Sequence, residues 1–184
     1  MAMIKRLATL IPIMALTLLT NACSSGRPAA DLGSPLSPTT PASSALGPAT
    51  APERDAVAAY RGFWDVFVSA AVTSDAEMPE LRKYASGQAL RLVANSLYMD
   101  RKRKQVTKGQ VRLDPKVSAL DPTGAPTEVT ISDCVSDEEW LKYKASGGLV
   151  NDVPGGRHAT TATVKRTSDG WKVDSLVLQE VGTC

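Results

Sequence analysis

The chain has 184 residues, 43% of them apolar, with 21 basic and 19 acidic residues and three cysteines. Lys5 and Arg6 lie in a leader segment, so the rest of the chain carries 19 residues of each sign. That balance gives no reason to expect nucleic-acid binding. There is no CxxC, no second histidine and no ligand cluster at useful spacing, and no phosphate-cradling glycine loop. No metal or other cofactor is expected.

Residues 1–22 combine a basic start, an apolar run from Leu7 to Leu19 and small residues at the boundary. This is the pattern of an export signal, and the run is short for a membrane span. Leu19-Thr20-Asn21-Ala22-Cys23 resembles a bacterial lipobox. The resemblance implies a diacylglycerol thioether on Cys23 and attachment to the membrane through that lipid. Residues 23–51 form the next unit. Six of the twelve prolines lie between Pro28 and Pro52, among Ser, Thr, Ala and Gly, with no apolar periodicity. Such a stretch cannot bury enough apolar surface to offset its ordering entropy. It reads as a disordered tether whose ends stand on the order of 30 Å apart.

The folded domain is expected over 52–184. Ala56, Val57, Tyr60, Phe63, Trp64, Phe67, Val68, Ala71 and Val72 mark one face of a helix from Thr50 to Thr73. Thr50 and Glu53 have capping-box spacing, and Pro52 falls in the first turn. A short helix follows from Pro79 to about Tyr84. Ser86 and Gly87 then open a third, with Ala89, Leu90, Val93, Leu97 and Tyr98 at helical spacing. It ends in Arg101-Lys102-Arg103-Lys104, read as a solvated last turn whose cations offset the helix dipole.

From Val106 the pattern changes. Val111, Leu113 and Val117 alternate with polar residues, as in a half-buried strand. Asp121-Pro122-Thr123-Gly124 suits a type I turn. Val129, Ile131, Asp133 and Val135 share one face of the next strand, with Thr130, Ser132 and Cys134 on the other. Trp140 to Tyr143 suggests a short strand, and His158 to Arg166 a longer one. Asp169-Gly170 is a hairpin signal. In the last strand, Trp171 to Val181, the apolar phase shifts, which predicts a bulge near Asp174 or Ser175.

Helices followed by antiparallel strands make an α+β order. The stretch from Tyr60 to Cys184 resembles a nuclear transport factor 2-like domain of actinobacterial lipoproteins. The resemblance is carried by Tyr84-Ala85-Ser86-Gly87, Lys108-Gly109-Gln110-Val111, Thr130-Ile131-Ser132-Asp133-Cys134 and Asp169-Gly170-Trp171-Lys172-Val173, with the terminal Cys184. It implies three N-terminal helices packed on a strongly curved, mostly antiparallel sheet that leaves a conical, cystatin-like cavity. Members of that superfamily use the cavity for catalysis or ligand binding, or have no known use for it.

With Cys23 assigned to the lipid, Cys134 and Cys184 remain as a pair in an exported chain, and a disulfide is expected. His158, the only histidine, is expected to be exposed at the start of its strand. Asp133 is the carboxylate that alternation aims inward, where it must find donors, raise its pKa or line a wet cavity. Tyr60, Trp64, Tyr98 and Asp133 are the candidate cavity lining, although a structural role for Asp133 and core positions for the aromatics are favoured. No residue is assigned a catalytic role. The function expected is a non-catalytic binding or scaffold module on the outer face of the membrane, meeting an envelope protein or a small apolar ligand. A cavity enzyme of the ketosteroid isomerase or polyketide cyclase kind and a subunit of an envelope or conjugation complex are the alternatives. A homodimer through the sheet face is a further expectation.

Overall fold

A computed structural model describes residues 48–184. The signal, Cys23 and most of the tether lie outside the described residues. The first helix, α1 (Ala51–Ala71), begins where the Thr50/Glu53 spacing places it. Glu53 accepts hydrogen bonds from the backbone N–H and from the hydroxyl of Thr50, both at 2.6 Å. These bonds hold the Glu53 carboxyl below its ordinary pKa. Ala56, Ala59, Tyr60, Phe63, Trp64, Ala70 and Ala71 form its buried face.

The helices α2 (Leu81–Tyr84) and α3 (Gly87–Lys102) follow. The Tyr84-Ala85-Ser86-Gly87 junction between them is explained by what it touches. The Tyr84 ring lies against the backbone of Gly62 in α1, where an added Cβ would collide with it. Ala85 makes a parallel bridge to Val173, and Ser86 N–H donates to the Val173 carbonyl at 2.9 Å. The Ser86 hydroxyl bonds Asp174 at 3.1 Å. Gly87 has φ +48° and no room for a side chain beside Asp174, so two constraints select glycine there.

Six strands complete the domain: β1 (Gln105–Gly109), β2 (Lys116–Asp121), β3 (Glu128–Ser136), β4 (Trp140–Lys144), β5 (Arg157–Thr167) and β6 (Gly170–Leu178). The architecture is α+β, helices first, and every strand pair is antiparallel. The single strongly curved sheet of the sequence reading is replaced by two sheets. One has the order β2-β3-β5-β6, and the other is the pair β1-β4. The division arises in the turn after Ser136. There Asp137 N–H donates to the Gly156 carbonyl, and Trp140 N–H donates back to the Asp137 carbonyl. That turn leads β4 away from β3 and onto β1.

Burial in β3 alternates as read, with Val129, Ile131, Asp133 and Val135 inward. The predicted bulge is present. Val164 pairs with Val173 and Thr163 with Ser175, leaving Asp174 as the extra residue. Two local expectations shift. Val111 and Leu113 precede β2 and pack on the core from a connecting segment, with only an isolated bridge from Arg112 to Ser136. The loop after Asp121 closes through Thr127 N–H to the Asp121 carbonyl, so it is longer than a four-residue turn.

The core lies between α1 and α3 on one side and β3, β5 and β6 on the other, with Tyr60, Phe63, Leu97, Ile131, Val164 and Val173 almost wholly buried. None of the described helices is long and apolar enough to cross a membrane.

Candidate functional site

Tyr60 and Asp133 meet, but inside the core. The Tyr60 hydroxyl donates to Asp133 Oδ2 at 3.0 Å, and the backbone N–H of Asp114 donates to Oδ1 at 2.7 Å. Asp133 is 8% exposed and Tyr60 fully buried. Burial pushes the Asp133 pKa up, and its two donors offset part of that rise. Burial, with the neighbouring Asp133 charge, also pushes the Tyr60 phenol up. The nearby Trp64 opposes that rise, although its indole N–H completes no hydrogen bond. Both Asp133 oxygens thus accept from donors fixed within the domain.

One residue along β3, Cys134 is joined to Cys184 in a disulfide with Cα atoms 5.9 Å apart. Arg157 places Nε and Nη2 each 3.2 Å from Cys134 Sγ. The chain end is further fixed by Gly182 N–H to the Arg157 carbonyl and by Ala159 N–H to the Thr183 hydroxyl, both at 2.8 Å.

Two side chains lie elsewhere than expected. His158 is 7% exposed, not a surface residue. Its Nδ1 donates to the Gln179 carbonyl at 2.7 Å, and Nε2 lies 3.2 Å from Asp137 Oδ1. It is buried because the chain end folds back beside β5, and because Gly156 N–H fixes Asp137 at 2.7 Å from the other side. Tyr98, conversely, is 51% exposed and does not line the main cavity. The buried stripe of α3 runs Ala89, Val93, Leu97 and Asp100, which turns Tyr98 outward to lie under the Lys102 ammonium. The cations from Arg101 to Lys104 are all exposed, as a solvated helix end should be.

The main cavity has a volume of about 530 Å³ and lies beside α1, α3, the β1-β4 pair and the end of β6. Of the candidate lining residues only Trp64 reaches it. Phe67, Ala71 and Trp140 continue its wall, and Leu176 and Leu178 close it from β6. The aromatic rings pack in contact, with Trp64–Phe67 centroids 5.9 Å apart and Phe67–Trp140 centroids 5.0 Å apart. The opposite lining is mostly polar. Gln88, Leu92, Ser96 and Asp100 come from α3 at four-residue spacing, and Thr107 and Lys142 come from the two-stranded sheet.

Lys142 Nζ bonds both Asp100 oxygens, at 2.6 and 2.5 Å, pairing a half-exposed ammonium with a buried carboxylate. Sequence reading missed this group. Asp100 sits beside four cations and looks like part of their solvated turn. Lys142 lies between Leu141 and Tyr143, which drew the apolar reading of that strand. The available signal was the i, i+4 spacing of Gln88, Leu92, Ser96 and Asp100, a second stripe beside the apolar one.

No protein-family model and no curated protein matches the sequence. Several solved structures are similar in shape. The intermembrane space region of the chloroplast protein ARC6 is 17% identical, with a TM-score of 0.45, covering 72% of this chain and 99% of that one. Aln2 from a Streptomyces species is 12% identical, with a TM-score of 0.45, covering 69% and 88%. A Nostoc punctiforme protein of unknown function, described as having a cystatin-like fold, is 10% identical, with a TM-score of 0.41, covering 73% and 95%. At such identities the chemistry has to be read from this chain's own residues.

Proposed function

We propose that the chain is a lipid-anchored lipoprotein on the outer face of an actinobacterial-type membrane. Its domain, a divided form of the nuclear transport factor 2-like cone, would bind a small apolar ligand without transforming it. The observation that carries this reading is the cavity of about 530 Å³ walled by Trp64, Phe67, Trp140 and Leu176. That volume falls within the range of small-molecule sites, which are mostly apolar with a few placed polar groups. The anchor rests on the residues around Cys23.

Two observations favour binding over catalysis. The Tyr60–Asp133 pair is bonded within the core, and the Asp100 carboxylate is held on both oxygens by Lys142. The cavity is also a better binding surface than the open sheet face. That face carries Thr130, Ser132, Thr161 and Thr163, which offer little apolar contact to a partner or a second copy.

The test uses the full chain in its native membrane. Fatty-acid labelling should disappear in Cys23→Ala. Titration with the neutral dye Nile red, after subtraction of the dye taken up by the same membranes without the chain, should saturate at one site per chain. Leu92 lines the cavity at a 42% exposed position, so Leu92→Asp should fold normally and weaken dye binding at least about tenfold. Chain-dependent dye uptake that does not saturate, or that ignores Leu92→Asp, would remove the ligand-binding reading. Undiminished labelling in Cys23→Ala would remove the anchor.

A further inference from the structure

The polar part of the cavity selects among apolar ligands, an inference that rests on the binding reading above. Thr107 and Lys142 are direct cross-strand partners in the β1-β4 pair, and Trp140 lies two residues from Lys142 on the same side of β4. The two-stranded sheet therefore presents a hydroxyl, an ammonium and an aromatic ring to one volume, and Asp100 meets them from the last turn of α3.

The charges there are already engaged. Asp100 has both oxygens on Lys142 Nζ, and Asp137, also on the lining, accepts from Gly156 N–H and faces His158. An ammonium has three donors, so Lys142 keeps one after bonding both Asp100 oxygens. The Thr107 side chain is buried against the protein and lines the cavity, where its hydroxyl can both donate and accept. Ser96, one helical turn before Asp100, offers another hydroxyl to the cavity. At its Asp100 end the site leaves a ligand one cationic donor and two neutral hydroxyls, with two carboxylates close by. A carboxylate or phosphate head would sit against Asp100 and Asp137. A hydroxyl head can accept from Lys142 and exchange a hydrogen bond with Thr107 without adding charge.

The shape of the site sets the rest of the ligand. From Gln88 to Asp100 the α3 stripe spans twelve residue steps, about 18 Å of helix. Its second member, Leu92, faces the same volume as Phe67 and Leu176. We infer that the cavity takes an elongated, uncharged amphiphile, its apolar body along Phe67 and Leu176 and its hydroxyl head between Thr107 and Lys142.

Three probes with one body and different heads test this on the full chain: butylpyrene, pyrenebutanol and pyrenebutanoate. Binding is read by energy transfer from the cavity tryptophans to pyrene. Pyrenebutanol should bind more tightly than pyrenebutanoate. Thr107→Val keeps the side-chain shape and removes the hydroxyl. It should weaken pyrenebutanol about 2- to 10-fold, the size of one hydrogen bond, and leave butylpyrene unchanged. Thr107→Ser should restore the alcohol's affinity. Equal effects of Thr107→Val on both neutral probes, or on neither, would overturn the inference. So would pyrenebutanoate binding as tightly as the alcohol. Each of those results leaves the cavity a binding site, whereas failure of all three probes to bind would overturn the binding reading as well.

Discussion

Asp133 and Asp100 are both buried carboxylates, and their surroundings give them different roles. Asp133 is held by a phenol and a backbone N–H, both fixed in the core, with a disulfide one residue away. Asp100 is held by a half-exposed lysine at the wall of an open volume. The first set of donors leaves nothing for a ligand. The second leaves an unused N–H and neighbouring hydroxyls. Burial of a charge therefore does not mark a site by itself; the donors that satisfy it and the space beside it decide.

The largest expected effect breaks the sheet side alone. Cys184→Ser opens a link spanning 50 residues and should cost about 4 kcal/mol in the chain-entropy account. Measured by denaturant unfolding, that loss should come with unchanged Nile red affinity under conditions where the variant is folded. Affinity that falls along with stability would show that the sheet side and the cavity are one cooperative unit.

The next effect sets the two carboxylates against each other. Asp133→Ala strands the Tyr60 hydroxyl and the Asp114 N–H, which should cost about 3 kcal/mol and leave dye affinity within about twofold. Asp100→Asn should cost only about 1 kcal/mol, because the Lys142 ammonium can turn to water. It should nevertheless shift the preference between pyrenebutanol and pyrenebutanoate toward the acid. Thermal unfolding and probe titration on the two variants give the four numbers. If Asp133→Ala removed binding from a folded protein, the assignment of roles would be reversed.

The smallest effect is in pH. Burial raises the Asp133 pKa above its ordinary 3.8, so between that value and the raised one the folded chain binds more protons than the unfolded chain. Stability contributed by Asp133 is then present at low pH and declines as pH rises through this window. Asp133→Asn cannot titrate. Melting curves from about pH 3 to about pH 7 should therefore show the wild type losing ground relative to Asp133→Asn as pH increases. A wild type that instead gains on the variant as pH increases would mean that its hydrogen bonds outweigh its burial.

Much of the sheet side was legible because its signals are local. Alternation in β3 aimed Asp133 inward, the phase change in β6 placed the bulge, and cysteine counting paired Cys134 with Cys184. The cavity side was less legible because it is made of residues far apart in the chain. Thr107 and Lys142 become neighbours only when β4 leaves β3 to pair with β1. That choice is made by hydrogen bonds in the Asp137 turn, which no periodicity announces. Tyr98 and His158 were misplaced for a related reason. Helical spacing allowed Tyr98 on either of two adjoining faces, and the burial of His158 depends on a chain end that folds back by tertiary contacts.

The bulge at Asp174 carries a consequence for how this strand can vary. Before it, Val173 faces the core; after it, Leu176 and Leu178 reach the cavity wall. If the strand kept Asp174 but ran without a bulge, side-chain alternation would turn every later position over, sending Leu176 to solvent and its polar neighbours inward. A substitution at Asp174 forfeits its contacts with Ser86 and Lys165, whereas its deletion removes the bulge and leaves Ser175, Leu176 and Leu178 opposite the same partners in β5. Among diverging copies of this chain, this point of the strand can therefore lose its extra residue without moving those that reach the cavity.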